Sequence, residues 1–423
     1  MKIRSTSGML SGLLEMVARA VSARSHIQLL SAVLFEADED ANLLTMKATD
    51  MEISISLTAE TPVEEGGKVA IPAKMLLQYA KSLPEGEAEL ETDESGANAT
   101  LSCGGSSVSL NCYAPDDFPT LPEFPEPSDG EADGSADADG TATAAAFSVD
   151  AAALSEAVSK VLPFASKDES RAVLMGVLVA FSEGSATLAA TDSYRLGLNS
   201  QKLDGAVEGA PTAILPARAL KEAVRLTSLA GEDGRIEVAI TENQAMFRAG
   251  EAGLTLATRL IDGNYPEYGR LLPDGFEETF SVKRDDLLTA IGRARIVAGK
   301  QTPPPPLKLA FSHEEGTLGG GEVAISLAAD TGAATEVLSA DVPEGKAFEI
   351  CFNPHYLAEA VSSISDETVA LRLNESLKPA VLRPAAELAA EATNGSAGTD
   401  PEGPPDGYLH LIMPMRDPSR NGS

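Results

Sequence analysis

Three aspartates stand at the ends of strand-like runs: Asp50 closes Leu44-Thr45-Met46-Lys47-Ala48-Thr49-Asp50, Asp192 closes Leu188-Ala189-Ala190-Thr191-Asp192, and Asp330 stands in Leu327-Ala328-Ala329-Asp330-Thr331. Carboxylates so placed could act as general acids or bases. The recurrence argues instead for a turn or cap, because an Asp side chain bonds the backbone a residue or two further on. The four histidines (His26, His313, His355, His410) are scattered, with no His-x-x-x-His and no Cys-x-x-Cys, so no metal site is expected. Gly299-Lys300-Gln301 lacks the upstream Gly and the Ser or Thr of a phosphate-binding loop. No Gly-x-Ser-x-Gly elbow occurs. These residues point away from an enzyme and imply no cofactor.

The elements that would hold the aspartates repeat with them. The aspartates lie 142 and 138 residues apart, and each is followed, 22, 24 and 24 residues on, by Pro72-Ala73-Lys74, Pro216-Ala217-Arg218 or Pro354-His355-Tyr356. A period this long is a whole domain, so the chain reads as one domain in triplicate. Each copy opens with an apolar stripe at helical spacing, such as Leu10, Leu13, Leu14, Val17, or Leu154, Ala157, Val158, Val161, or Leu287, Leu288, Ile291, Ala294. Alternation follows, as in Met51, Ile53, Ile55 and Leu57, which predicts a half-buried strand. The marker proline then predicts the first position of a second helix. Helical segments are expected over 8–25, 73–83, 150–168, 216–230, 283–300 and 353–366, among many antiparallel strands, so the fold class is α+β. The expected domains are 1–122, 146–274 and 275–423.

Two segments break the pattern. Glu123–Gly140 carries seven acids and no base among Gly, Ala and Ser, and 123–145 reads as an acidic, disordered linker. Its acids miss the register of a calcium loop. Residues 384–407 read as a low-complexity insertion in the last hairpin of the third copy, a place where added length costs little. The whole chain of 423 residues has 64 acidic against 32 basic side chains, a net charge of −32, which excludes polyanion binding through a globally basic surface. The six helical segments run the other way, with 14 basic and 9 acidic residues. Basic helices on an acidic body fit helices that face a polyanion. Three cysteines are too few to staple a fold, and the absence of a signal-peptide pattern or a long apolar stretch predicts a soluble protein of the cytosol.

Taken in order, Arg24-Ser25-His26-Ile27-Gln28-Leu29-Leu30, Ala48-Thr49-Asp50-Met51-Glu52, Ala190-Thr191-Asp192-Ser193-Tyr194-Arg195-Leu196, Asp262-Gly263-Asn264-Tyr265-Pro266-Glu267-Tyr268 and Met413-Pro414-Met415-Arg416 carry a resemblance to the bacterial sliding clamp, the β subunit of DNA polymerase III. The resemblance spans the chain apart from the two insertions and the tail, 417–423. It implies a closed ring of two head-to-tail protomers, six domains in all, that encircles duplex DNA without reading its sequence and binds the polymerase, the clamp loader and other clients. It implies a client-peptide pocket between the second and third domains, formed by Leu174, Thr191, Tyr194, Arg195 and Leu196, by Pro266, Arg270 and Leu271 of the connection, and by Tyr356, Leu377, Pro379, Leu411, Met413, Pro414, Met415 and Arg416. Arg24 matches a DNA contact of the family, while Lys160, Lys167, Arg218, Lys221 and Arg225 are DNA candidates by helix position. The implied ring seam brings Val108 and Leu110 of one protomer to Ile296 and Val297 of the other. Ser193-Tyr194 replaces a usual Gly-His, and Pro303–Pro306 and the tail depart from the family pattern, which fits either the main clamp or a paralogue with altered clients. Without the resemblance, a triplicated scaffold protein with no nucleic-acid role is the rival reading.

Overall fold

The computed structural model describes residues 1–22, 25–125, 143–182, 185–202, 212–230, 234–250, 253–273, 275–315, 320–394 and 407–417. Arg24, most of the acidic linker, half of the 384–407 insertion and most of the tail lie outside them.

One order of elements appears three times: strand, helix, four strands, helix, three strands. The helices are α1 (Ser7–Val17), α2 (Ala73–Ser82), α3 (Ala151–Val161), α4 (Ala217–Leu226), α5 (Arg284–Ala298) and α6 (Pro354–Ser362), two to each repeat. A seventh, α7 (Ala385–Asn394), stands between the last two strands of the third repeat, and the first repeat has a short extra strand, Val63–Glu65. The helices form where apolar side chains recur on one face: α1 buries Leu10, Leu14 and Val17, and α5 buries Leu287, Ile291, Ala294 and Ala298. Thr6 caps α1 by accepting the Met9 N–H at 3.2 Å, and Asn353 caps α6 by accepting the His355 N–H at 2.9 Å.

The sequence expectations need four corrections. Helix α1 ends at Val17 in a 3-10 turn, Ala18–Ala20, short of residue 25. Helix α3 ends at Val161 because Pro163 follows within a second 3-10 turn. Of the three marker prolines only Pro354 occupies a first helical position, while Pro72 and Pro216 close the strands before α2 and α4. Met51 belongs to a turn rather than to the strand Ile53–Glu60.

The chain falls into two compact units, Met1–Ser155 with Asp204–Pro211 and Arg218–Ile261, and Glu156–Leu203 with Thr212–Ala217 and Asp262–Ser423. The division runs through the middle repeat. Within the first unit, Leu254–Arg259 of the middle repeat pairs antiparallel with Ile53–Glu60 of the first, Leu256 opposite Ile55 and Thr258 opposite Ile53. Within the second, Gly407–Ile412 of the third repeat pairs with Arg195–Lys202 of the middle one, Leu411 opposite Leu196 and His410 opposite Gly197. Repeats are thus joined by the same kind of seam, the last strand of one added to the sheet edge of the one before. Two edges carry no such partner among the described residues. Ser106–Asn111, the last strand of the first repeat, pairs only with Asn98–Cys103, and Gly332–Asp341 has its outer edge paired only at Ala340 and Asp341.

Candidate functional site

The loop Thr191–Arg195 is built by its own side chains. Asp192 Oδ1 accepts the N–H of Tyr194 at 2.9 Å and of Arg195 at 3.1 Å. Thr191 Oγ1 accepts the Ser193 N–H at 3.1 Å and donates to the Arg195 carbonyl at 2.7 Å. These bonds hold Ser193 in the left-handed region at φ +76° and turn Tyr194 outward, where it is 60% exposed. The first repeat has the same turn: Asp50 Oδ1 accepts from Glu52 at 3.0 Å and Ile53 at 2.9 Å, with Met51 at φ +77°. The third repeat departs from expectation. Its strands connect through two residues, Ala329 opposite Gly332, and Asp330 accepts instead from Gln301 Nε2 at 2.9 Å. A two-residue hairpin leaves no backbone N–H for the Asp turn to collect.

Arg195 is 7% exposed and fully engaged. Its Nε donates to Asp192 Oδ2 at 3.0 Å, one terminal nitrogen to Glu359 of α6, and the other to the Pro163 carbonyl at 3.0 Å. The guanidinium lies 4.3 Å from the centre of the Tyr356 ring and 5.1 Å from that of Phe164. A buried charge is stable only when paired and hydrogen-bonded, and this one is both. Tyr194 stands beside Tyr356, ring centres 6.3 Å apart, and its carbonyl accepts the Met413 N–H at 2.9 Å. Burial raises the Tyr356 phenol above the ordinary range, so the ring stays neutral.

Further along the same edge, Met415 N–H donates to the Cys351 carbonyl at 2.7 Å. Ile350, Ser376, Leu377, Met415 and Arg416 line a cleft of about 270 Å³ there. Leu377 is 65% exposed on its rim, and Lys308 holds Asp417 at 3.3 Å and Glu349 at 2.9 Å beside it. Exposed Leu with pliable Met suits apolar side chains of varied shape.

The remaining residues read from the sequence are differently placed. Leu196 and Leu411 face each other inside a covered cluster with Ala189, Leu198, Val381 and Leu409, roofed by Tyr265, Tyr268, Leu272 and Phe276. Leu174 and Thr191 are buried as well. Pro266, Arg270 and Leu271 are exposed on the connecting segment, Arg270 paired with Glu267 at 2.6 Å, while Pro379 and Pro414 are half-buried. A larger groove of about 640 Å³ flanks the Asp50 turn, between Met246, Arg259 and the Pro119–Pro125 segment. Its floor carries Thr49, Ser54 and Thr258 and has no counterpart of the Tyr194–Arg195–Tyr356 stack. The sequence reading missed Glu359, Phe164 and Gly197, and read Asp192 as a turn residue without its bond to Arg195. The Asp-x-x-Arg spacing inside Thr191–Arg195 was the one available signal.

The basic candidates divide by their partners. Arg218 pairs with Asp50, Arg225 with Glu222, and Lys160 with Glu156 at 2.8 Å beneath the Tyr408 ring. Lys167 and Lys221 are exposed and form no ion pair among the described residues, so their charge is available to an outside anion. Of the seam candidates, Leu110 is buried and Val108 half-buried on the edge strand, Ile296 is 79% exposed on α5, and Val297 is half-buried. Among the described residues no group of His, Cys, Asp and Glu could hold a metal ion, and no helix is long and apolar enough to cross a membrane.

Three family models match in sequence along the chain: DNA polymerase III beta subunit, N-terminal domain over residues 1–122, central domain over 148–267 and C-terminal domain over 269–394. The beta sliding clamp of Synechococcus elongatus is 29% identical over 385 residues, 91% of this chain and 96% of the relative. That of Streptomyces coelicolor is 29% identical over 424 residues, covering 98% and 99%. Among solved structures, the DNA polymerase sliding clamp of Bacillus subtilis superposes with a TM-score of 0.81 at 23% identity, over 99% of both chains. A sliding clamp of Bartonella birtlesii bound to griselimycin gives 0.81 at 24% identity, over 99% of this chain and 100% of the other.

Proposed function

This chain belongs to the DNA polymerase III beta-subunit family, and from that membership we propose how its residues carry out the work of a sliding clamp. It is a non-catalytic processivity factor: it encircles duplex DNA, binds the replicative polymerase, and keeps that enzyme on its template. Its place of work is the cytoplasm.

One observation carries ring closure. The chain uses the same strand-to-edge seam twice internally, and among the described residues the two strands that would make a third such seam, Ser106–Asn111 and Gly332–Ser339, pair with no other repeat. Two protomers that join these edges head to tail satisfy all of them, which also removes an aggregation hazard. Val108 and Leu110 then meet Ile296 and Val297. Retention is topological, so phosphate contacts can stay few and sliding stays free. Lys167 and Lys221, with Arg24, supply those contacts, without base readout.

The client peptide lies along Tyr194, Tyr356, Met413 and the Leu377–Met415 cleft. Arg195, Leu196 and Leu411 support this wall from within rather than meeting the peptide. The exposed Tyr194 and Leu377 support the assignment, because large apolar side chains presented from turns suit a linear apolar motif.

The test is primer extension by the polymerase on a singly primed circular template with a clamp loader and ATP. Adding the dimer should lengthen products per binding event at least about tenfold, and unchanged lengths would contradict the proposal.

A further inference from the structure

The client wall rests on Arg195 and the rings packed around it. Arg195 lies against the Tyr356 and Phe164 rings, and Phe164 meets His410 at a tilt of 56°, ring centres 4.2 Å apart. This packing exists because residue 197 is glycine: a Cβ there would sit 2.2 Å from Phe164 Cδ2. At the other end Arg195 is held by two carboxylates. Asp192 belongs to its own turn, but Glu359 comes from α6, two residues beyond Leu357 and three beyond Tyr356. Glu359 is the ion-pair partner of Arg195 that belongs to the third repeat; Asp192 belongs to the second.

We infer that Glu359 is a positioning residue for the client pocket. It fixes the Arg195 guanidinium as a flat plate under Tyr356, and through Arg195 it fixes the turn that presents Tyr194. A planar guanidinium with each of its three nitrogens bonded cannot rotate without breaking several of those bonds together. Tyr356 has one face on that plate and its neighbour Tyr194 is fixed through the backbone of the same arginine's turn. Releasing Glu359 frees Arg195 to tilt toward solvent, which removes the plate from Tyr356 and loosens the pair of tyrosines. Both stay folded but lose their shared orientation, and a peptide must then order them on binding, which weakens affinity. Glu359 itself is half-exposed on α6 and packs into no core, so its removal does not threaten the fold.

The inference rests on the pocket reading, so the experiment separates the two. Full-length dimers carrying Glu359→Ala, Glu359→Gln or Met413→Ala are titrated with griselimycin by calorimetry. The same proteins are labelled with 3-fluorotyrosine, the Tyr194 and Tyr356 signals being assigned with Tyr194→Phe and Tyr356→Phe. Glu359→Ala should weaken griselimycin about tenfold, Glu359→Gln less, and in both the two tyrosine signals should move before any ligand is added. Gly197→Ala, acting from beneath through Phe164, should move the same signals. Unchanged or tighter binding in Glu359→Ala with an unchanged fluorine spectrum would overturn the inference. Undiminished binding in Met413→Ala, or no binding by the unaltered dimer, would overturn the pocket reading itself, while the fluorine spectra would still decide the role of Glu359.

Discussion

Asp50 and Arg218 form an ion pair that ties the turn of the first repeat to the start of α4 in the second, beside the seam between Ile53–Glu60 and Leu254–Arg259. Asp50 uses one carboxylate oxygen for the backbone of its turn and the other for the arginine. Arg218 also reaches the Arg19 carbonyl at 3.4 Å, and Arg19 in turn lies 3.7 Å from Glu222 of α4. An arginine engaged in this way holds a seam. Asp50→Ala removes the acceptor of two backbone N–H groups along with the pair, and should cost about 1–3 kcal/mol in urea unfolding. Arg218→Ala loses a half-exposed pair and should cost about 1 kcal/mol or less.

The division among the basic residues predicts a difference in salt dependence. Lys167→Ala and Lys221→Ala should each lower the slope of log affinity against log salt for duplex DNA by about 1, while Arg218→Ala should leave it nearly unchanged. Fluorescence anisotropy on short duplex DNA across a salt series measures it. Equal slopes for all three variants would show that the Asp50 pair does not withhold Arg218.

In the proposed ring, Ile296 lies in an apolar seam. Ile296→Asp buries an unpaired charge there and should weaken dimerisation at least about thirtyfold, with the melting behaviour of the protomer preserved. Sedimentation velocity over a dilution series reads it, and an unaffected dimer would move the seam away from α5.

Gly197→Ala forces a methyl group into the Phe164 ring. Overpacking of this kind typically costs about 1–3 kcal/mol, so the urea midpoint should fall. Ala at Gly292, where a Cβ meets nothing within 4 Å, is the control and should leave the midpoint in place.

His410 is fully buried, neither ring nitrogen has a hydrogen-bond partner among the described residues, and burial lowers its pKa from 6.5 to about 3. The unfolded chain takes up a proton there below about pH 6.5 and the folded chain does not. Stability contributed at this position is therefore greatest above that pH and declines as pH falls toward 3, by at most about 1.4 kcal/mol per unit. His410→Leu should flatten that decline between pH 7 and pH 5, and an unchanged decline would place the acid sensitivity elsewhere.

The repeat and the α+β class were readable because they are written in periodicity: Leu10, Leu14 and Val17, or Ile53, Ile55 and Leu57, recur at spacings that only one kind of element accepts. The turn at Asp50 and Asp192 was readable for the same reason, since an Asp turn is a local device. Its failure at Asp330 was not, because a hairpin two residues shorter looks nearly identical in sequence. Arg195 was named as a pocket residue, yet its burial between Phe164 and Tyr356 depends on residues 31 before and 161 after it, and no local pattern encodes that. Leu196 and Leu411 were read as open walls for the same reason: the aromatic roof over them comes from the connecting segment. Met and Leu types alone do not say which of them remain uncovered.

The central claim is topological, so the decisive measurement is as well. The dimer is loaded with a clamp loader and ATP onto nicked circular plasmid, freed of unbound protein by gel filtration, and cut once with a restriction enzyme at moderate salt. A closed ring should remain with the circle through filtration and leave within minutes of linearisation, at a rate indifferent to DNA sequence. Protein that dissociates equally from circular and linear DNA, or that stays on the linear product with free ends, would contradict encirclement.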